Sequence, residues 1–142
     1  FFFNFLHCIT IYPTPLEKIY LSRMDYLRQL SPNVGFSDHT LVSRDGIKAS
    51  AAALYFGAEV IERHFTILDA DNTKDGPVSI TPNLLKELVS LSRMTKEELY
   101  EYIKEKVPEF FSLRIKEVIK YPLITKNIST PRNPLEKNSN PA

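Results

Sequence analysis

The sequence predicts an α/β fold in which a strand–helix unit repeats three times around a parallel sheet. Three short apolar runs, Phe3 to Tyr12, Val34 to His39 and Glu59 to Phe65, are bounded by turn residues. Each is followed by a stretch with helical spacing. Repeated strand–helix units favour parallel pairing through right-handed crossovers. The composition agrees: 142 residues, 43% hydrophobic and 25% charged, suit a globular domain with a real core.

The first strand is ended by Pro13 and Pro15 of "YPTPLE", with Thr14 placed to cap the helix that follows. On that helix Leu16, Tyr20, Met24 and Leu27 recur at helical spacing as a buried stripe, and "SPN" at 31–33 breaks it. The second helix takes Asp45 as N-cap and Gly57 just past its end. Its middle, "KASAAALYFG", carries small side chains that let a helix approach a sheet closely.

Thr81 with Pro82 at the first helical position opens a third helix, expected to run through "LVSLSRM". Thr95-x-x-Glu98 is a capping pattern that opens a fourth. Residues 1–107 therefore read as one unit. From 108 to 142 a helical extension leads into a polar, Pro- and Asn-rich tail expected to be disordered. Asn127-Ile-Ser129 is formally a glycosylation acceptor but reads as chance.

The bulk properties exclude some partners. A net charge of +1 gives no electrostatic reason to invoke nucleic acid or an anionic membrane. The opening "FFFNFLHCITIYP" is too short to span a bilayer and has neither basic n-region nor small-residue cleavage site. It reads as a buried strand entered partway, so the chain is expected to be a fragment that starts inside a domain. A single cysteine, Cys8, excludes an internal disulfide framework and fits a reducing compartment.

Side chains alternate along strands, so parity sorts the polar residues. Leu6, Cys8, Thr10 and Tyr12 share one face, Gly35, Ser37 and His39 another, and Val60, Glu62 and His64 a third. These faces turn polar toward the carboxyl ends, where α/β folds collect ligands. The opposite faces carry most of the bulky apolar residues and suit helix packing. His7 falls there, which predicts a buried histidine satisfied by a backbone carbonyl. Asp38 and Arg63 fall there too, as candidates for pairing or capping rather than substrate contact.

His39 and His64 lie a strand–helix–strand unit apart, which is not a tight metal motif. Neutral imidazoles near a carboxylate would suit Mn or Zn. On the residues alone, a metal site and two structural histidines both stay open.

Three stretches, "LHCITIYPTP", "GFSDHT" and "GAEVIERHFT", resemble the second half of the catalytic domain of the sialic acid synthase family, in the family's order and roughly its spacing. "DGPVSITPNLLKEL" resembles the segment after the last barrel strand, so the likeness spans about Leu6 to Leu91. It implies a partial (β/α)8 TIM barrel, the last three strand–helix units of eight. It also implies a cytoplasmic enzyme that condenses phosphoenolpyruvate with an N-acetylated amino sugar such as N-acetylmannosamine. The products would be a nine-carbon 2-keto acid and phosphate.

By motif position the resemblance makes His39 and His64 ligands of a divalent metal, Mn2+ in the family with Mg2+ or Co2+ as alternatives. Ser37 becomes a phosphoenolpyruvate contact, Glu62 the catalytic carboxylate and Tyr12 a residue of the sugar site. Thr10 stands where the family often has Asn against phosphoenolpyruvate. Val78 follows "GP" where the family has a sugar-binding Asp, which leaves Asp75 as the candidate substitute. "VSRDG" lengthens the loop after SDHT.

The first five units, which would supply a lysine and a glutamate, have no counterpart here. Nor has the C-terminal antifreeze-like domain that lends an arginine to the partner in a homodimer. The isolated chain is therefore expected to be inactive. Two further readings are a truncated, inactive remnant of such a synthase and another TIM-barrel metal enzyme.

Overall fold

A computed structural model describes residues 3–108. Strands β1 (Phe5–Cys8), β2 (Val34–Asp38) and β3 (Ile61–Arg63) form a parallel sheet in the order β1-β2-β3. Cys8 pairs with Ser37, Ser37 with Glu62, and Asp38 with Arg63. The architecture is α/β, with helices packed on one face of the sheet. The extension expected from 108 onward lies, apart from Pro108, outside the described residues.

Each strand is shorter than the apolar run that predicted it. β1 stops at Cys8 because the chain bends over residues 10–13, where the Tyr12–Pro13 peptide bond is cis. The ladder continues past the strands only as isolated parallel bridges, Thr14 with Thr40 and Phe65 with Ile80. Short apolar runs between turn residues mark where a strand can form, but neighbouring backbone decides where it ends.

The single helix expected from Leu16 to Leu27 is two pieces, a 3-10 turn at Leu16–Lys18 and α1 at Arg23–Leu27. Tyr20, at φ 47°, sits in the left-handed region between them and interrupts the helix. Leu16 and Met24 are still buried, so the stripe is real although the helix is not continuous. Thr14 is not a cap. Its N–H donates to the His39 carbonyl at 2.8 Å and its hydroxyl to the Ile11 carbonyl at 2.7 Å.

Asp45 is also corrected. It ends a short helix, α2 (Val42–Asp45), and Gly46 at φ 54° turns the chain before α3 (Lys48–Tyr55). Its carboxylate accepts from Arg44 Nε and Nη2 at 2.9 and 2.7 Å instead of from the helix amides. Gly57, at φ 77°, does close α3, as its position predicts. Arg28 supports that end, donating to the carbonyls of Phe56 and Gly57 where the helix dipole favours a cation.

The small-residue segment works as read. Ala49, Ser50, Ala51, Ala52 and Ala53 are wholly buried. α3 thereby lies between the sheet, with Val34 and Phe36, and helices α4 (Pro82–Leu91) and α5 (Lys96–Lys106). Thr81 caps α4 through the Leu84 N–H, and Thr95 and Glu98 form a reciprocal capping box on α5. α4 ends at Leu91 rather than Met94, because the chain must become extended at Thr95 to open α5.

His7 is 5% exposed, stacks on Phe36 and bonds through Nε2 to the Ile19 carbonyl at 2.7 Å. That is the buried, carbonyl-satisfied histidine the parity predicts. Among the described residues no helix is long and apolar enough to cross a membrane.

Candidate active site

The rung that joins the three strands carries Cys8, Ser37 and Glu62 on the face away from the helices. Ser37 Oγ donates to Glu62 Oε1 at 2.6 Å. Two residues farther on, past the ends of β2 and β3, stand His39 and His64. Their backbones are pinned: the His39 carbonyl accepts from Thr14 N–H and the His64 carbonyl from Ile80 N–H, both at 2.8 Å. Pinned this way, the two imidazoles face each other with ring centroids 5.3 Å apart.

Tyr12 reaches the same place from the bend after β1. Its ring lies 5.3 Å from that of His39 and 6.2 Å from that of His64. Its hydroxyl donates to Asp75 Oδ1 at 2.7 Å, tying the bend to the loop before α4. A cavity of about 130 Å³ is lined by Ser37, His39, Glu62, Arg63 and His64. Of the residues singled out in the sequence, Ser37, Glu62, His39, His64, Tyr12 and Asp75 thus converge. Thr10 does not line this cavity; it is exposed in the bend, because β1 ends before parity can place it.

The electrostatics favour a neutral imidazole. Burial holds His39 below the ordinary histidine value, and His64 adds to the effect, while Asp38 and Glu62 oppose it. The Tyr12 phenol is pushed up to about 12 by desolvation, then by its bond to Asp75 and that carboxylate's charge, so it stays a donor.

A neutral imidazole is the form that coordinates a metal, and two that face each other fit two positions of a divalent ion's ligand set. Among the described residues no group of three His, Cys, Asp or Glu side chains is arranged to hold a metal. The fit is therefore to two ligands and no more.

One contact escaped the sequence reading. Cys8 Sγ lies 3.8 Å from His39 Nδ1; parity had put Cys8 on this face, but a lone cysteine spoke only to redox compartment. Asp38 and Arg63, expected to pair or cap, are ion-paired and buried, each one residue before a histidine. A larger cleft of about 560 Å³ opens at the far end of α3, beside Arg28 and Lys96. Arg28 is already committed there to Asp25 and to the α3 carbonyls, so the convergent polar groups favour the smaller cavity as the site.

The chain is similar to several known proteins. The chain is 38% identical over 101 residues to the N,N'-diacetyllegionaminic acid synthase of Campylobacter jejuni, an alignment covering 70% of this chain and 29% of that protein. It is 33% identical over 108 residues to human N-acetylneuraminate-9-phosphate synthase, covering 75% and 29%. The crystal structure of the spore coat polysaccharide biosynthesis protein SpsE from Bacillus subtilis matches with TM-score 0.58 and 36% identity, over 70% of this chain and 28% of that one. The chain thus spans less than a third of the length of these relatives. A family model matches residues 3–104, from the first described residue into α5, and the chain belongs to the NeuB family.

Proposed function

We propose that this chain is part of an enzyme that condenses phosphoenolpyruvate with an N-acetylated amino sugar, giving a nine-carbon 2-keto acid and phosphate. The observation that carries the reading is the convergence of His39, His64, Ser37 and Glu62 at the carboxyl ends of two parallel strands. The names of its relatives, synthases of N-acetylneuraminate 9-phosphate and of diacetyllegionaminic acid, support it. In this reading the three strand–helix units belong to a (β/α)8 barrel, and the full-length protein is a cytoplasmic homodimer.

His39 and His64 would hold a divalent ion, Mn2+ by family resemblance, which when bound polarises the sugar aldehyde. Carbon 3 of phosphoenolpyruvate bonds to that aldehyde carbon, whose oxygen takes a proton. Water then adds at carbon 2, and the carbon–oxygen bond to phosphate breaks. Ser37 offers a hydroxyl for phosphoenolpyruvate, and Glu62, beside it, is the carboxylate that accepts the proton of the added water. Tyr12 holds Asp75 above the imidazoles, where its carboxylate can accept from a sugar hydroxyl.

The test is phosphate release from phosphoenolpyruvate plus N-acetylmannosamine with Mn2+, using the full-length protein that carries this segment. Turnover is expected, and His39→Ala and His64→Ala should each abolish it. If both variants keep the wild-type rate, the ligand assignment is wrong. The 142-residue chain alone is expected to be inactive, and turnover by it would show that these three units suffice.

A further inference from the structure

Asp38 and Arg63 stand one residue before His39 and His64, and the register makes them partners across β2 and β3. Their side chains are 0% and 2% exposed and form an ion pair. Asp38 Oδ1 accepts from the Thr40 N–H at 2.9 Å and the Thr40 hydroxyl at 2.7 Å, and Oδ2 from the Ser50 hydroxyl at 2.5 Å. Arg63 Nη1 donates to Thr40 Oγ1 at 3.0 Å, and Nη2 to the carbonyls of Thr40 and Gly46 at 2.9 and 3.2 Å.

The residue after His39 is thus gripped at its N–H by Asp38 and at its carbonyl by Arg63. Both grips originate in residues adjacent to the two histidines. A buried ion pair costs desolvation that its own attraction barely offsets, so apolar residues of similar volume would hold the strands together as well. What they would lack is direction, the fork of bonds that fixes the backbone around His39 relative to the backbone before His64.

We infer that Asp38 and Arg63 are a positioning pair that sets the mutual approach of His39 and His64. That the approach matters for a cation rests on the function proposed above; the geometric claim does not. The two are separated by experiments on the full-length protein. Selective histidine labelling reads the nuclear Overhauser contact between the two rings without metal, and Co2+ alone is the binding probe.

Asp38→Asn/Arg63→Met removes both charges and leaves Thr40 an acceptor. Arg63→Lys keeps the charge and loses the fork. Each is expected to retain the urea midpoint of the wild type, lose the ring contact and bind Co2+ about tenfold or more weakly. Loss of the ring contact when even the wild type fails to bind Co2+ would support the positioning pair and remove the ligand reading. Folded variants that keep both the contact and the affinity overturn the inference. Failure of both variants to fold overturns it too, by making the pair a stability element.

Discussion

The Ser37 hydroxyl and the Glu62 carboxylate meet across one rung of the sheet at 2.6 Å, two residues below a pair of facing imidazoles. A hydroxyl has one proton to give. Any phosphate that takes the Ser37 proton must therefore release Glu62 from this bond, so substrate arrival and the freeing of the carboxylate are coupled. Glu62→Gln in the full-length protein is expected to lower turnover about a hundredfold or more, the usual scale of a lost general base. Phosphate release assays that find an unchanged rate would remove Glu62 from the chemistry.

Tyr12→Phe keeps the ring beside both imidazoles and deletes the hydroxyl that holds Asp75. A hydrogen bond to a charged acceptor is worth enough that the KM for the amino sugar should rise about tenfold. The KM for phosphoenolpyruvate should hold still. Equal changes in both would mean that the Tyr12–Asp75 bond shapes the whole site rather than the sugar side.

Gly35 lies two residues before Ser37 on the same strand face, where β-carbon space is absent. A Cβ there would meet the Val60 carbonyl at 2.4 Å and Leu6 Cδ2 at 2.5 Å. Leu6 could turn aside, but the Val60 carbonyl is the acceptor of the Phe36 N–H in the β2–β3 ladder. Gly35→Ala should cost about 1–3 kcal/mol, as overpacking does, seen as a lower urea midpoint. An unchanged midpoint would show that β3 can shift outward freely.

Tyr102 joins α5 to α4 by donating to Glu87 Oε1 at 2.8 Å. Burial, then that bond and the charges of Glu87 and Glu105, raise its ionisation well above the ordinary value of 10.0. A group whose folded value is raised contributes stability that is complete below its unfolded value and lost as pH rises toward the folded one. The chain should therefore lose stability above pH 10.0 more steeply than Tyr102→Phe does. Parallel denaturation curves for the two proteins would refute the coupling.

How much of this was legible depends on how far apart the deciding atoms lie along the chain. Thr81, Thr95 and Glu98 act within four residues of themselves, and the sequence placed both caps they form. Gly57 and the alanines of α3 follow the same rule. Thr14 and Asp45 carried equally good cap signals and lost them to distant or competing partners, the His39 carbonyl and the Arg44 guanidinium. Tyr20 was read into a helical stripe that its own backbone interrupts. The helix-facing parity of Asp38 and Arg63 made pairing or capping the expectation, and pairing is what they do, yet nothing local says that both charges will be fully buried.

The sequence by itself determined the strand–helix order, which face of each strand is polar, and the motifs that tie the chain to its family, because period and composition are local properties. Only the tertiary structure decided that Ser37 falls opposite Glu62 rather than one residue off, and that Tyr12 finds Asp75 across 63 positions of chain. Register arises from packing between elements, and a slip of one residue would have turned every one of these side chains to the other face.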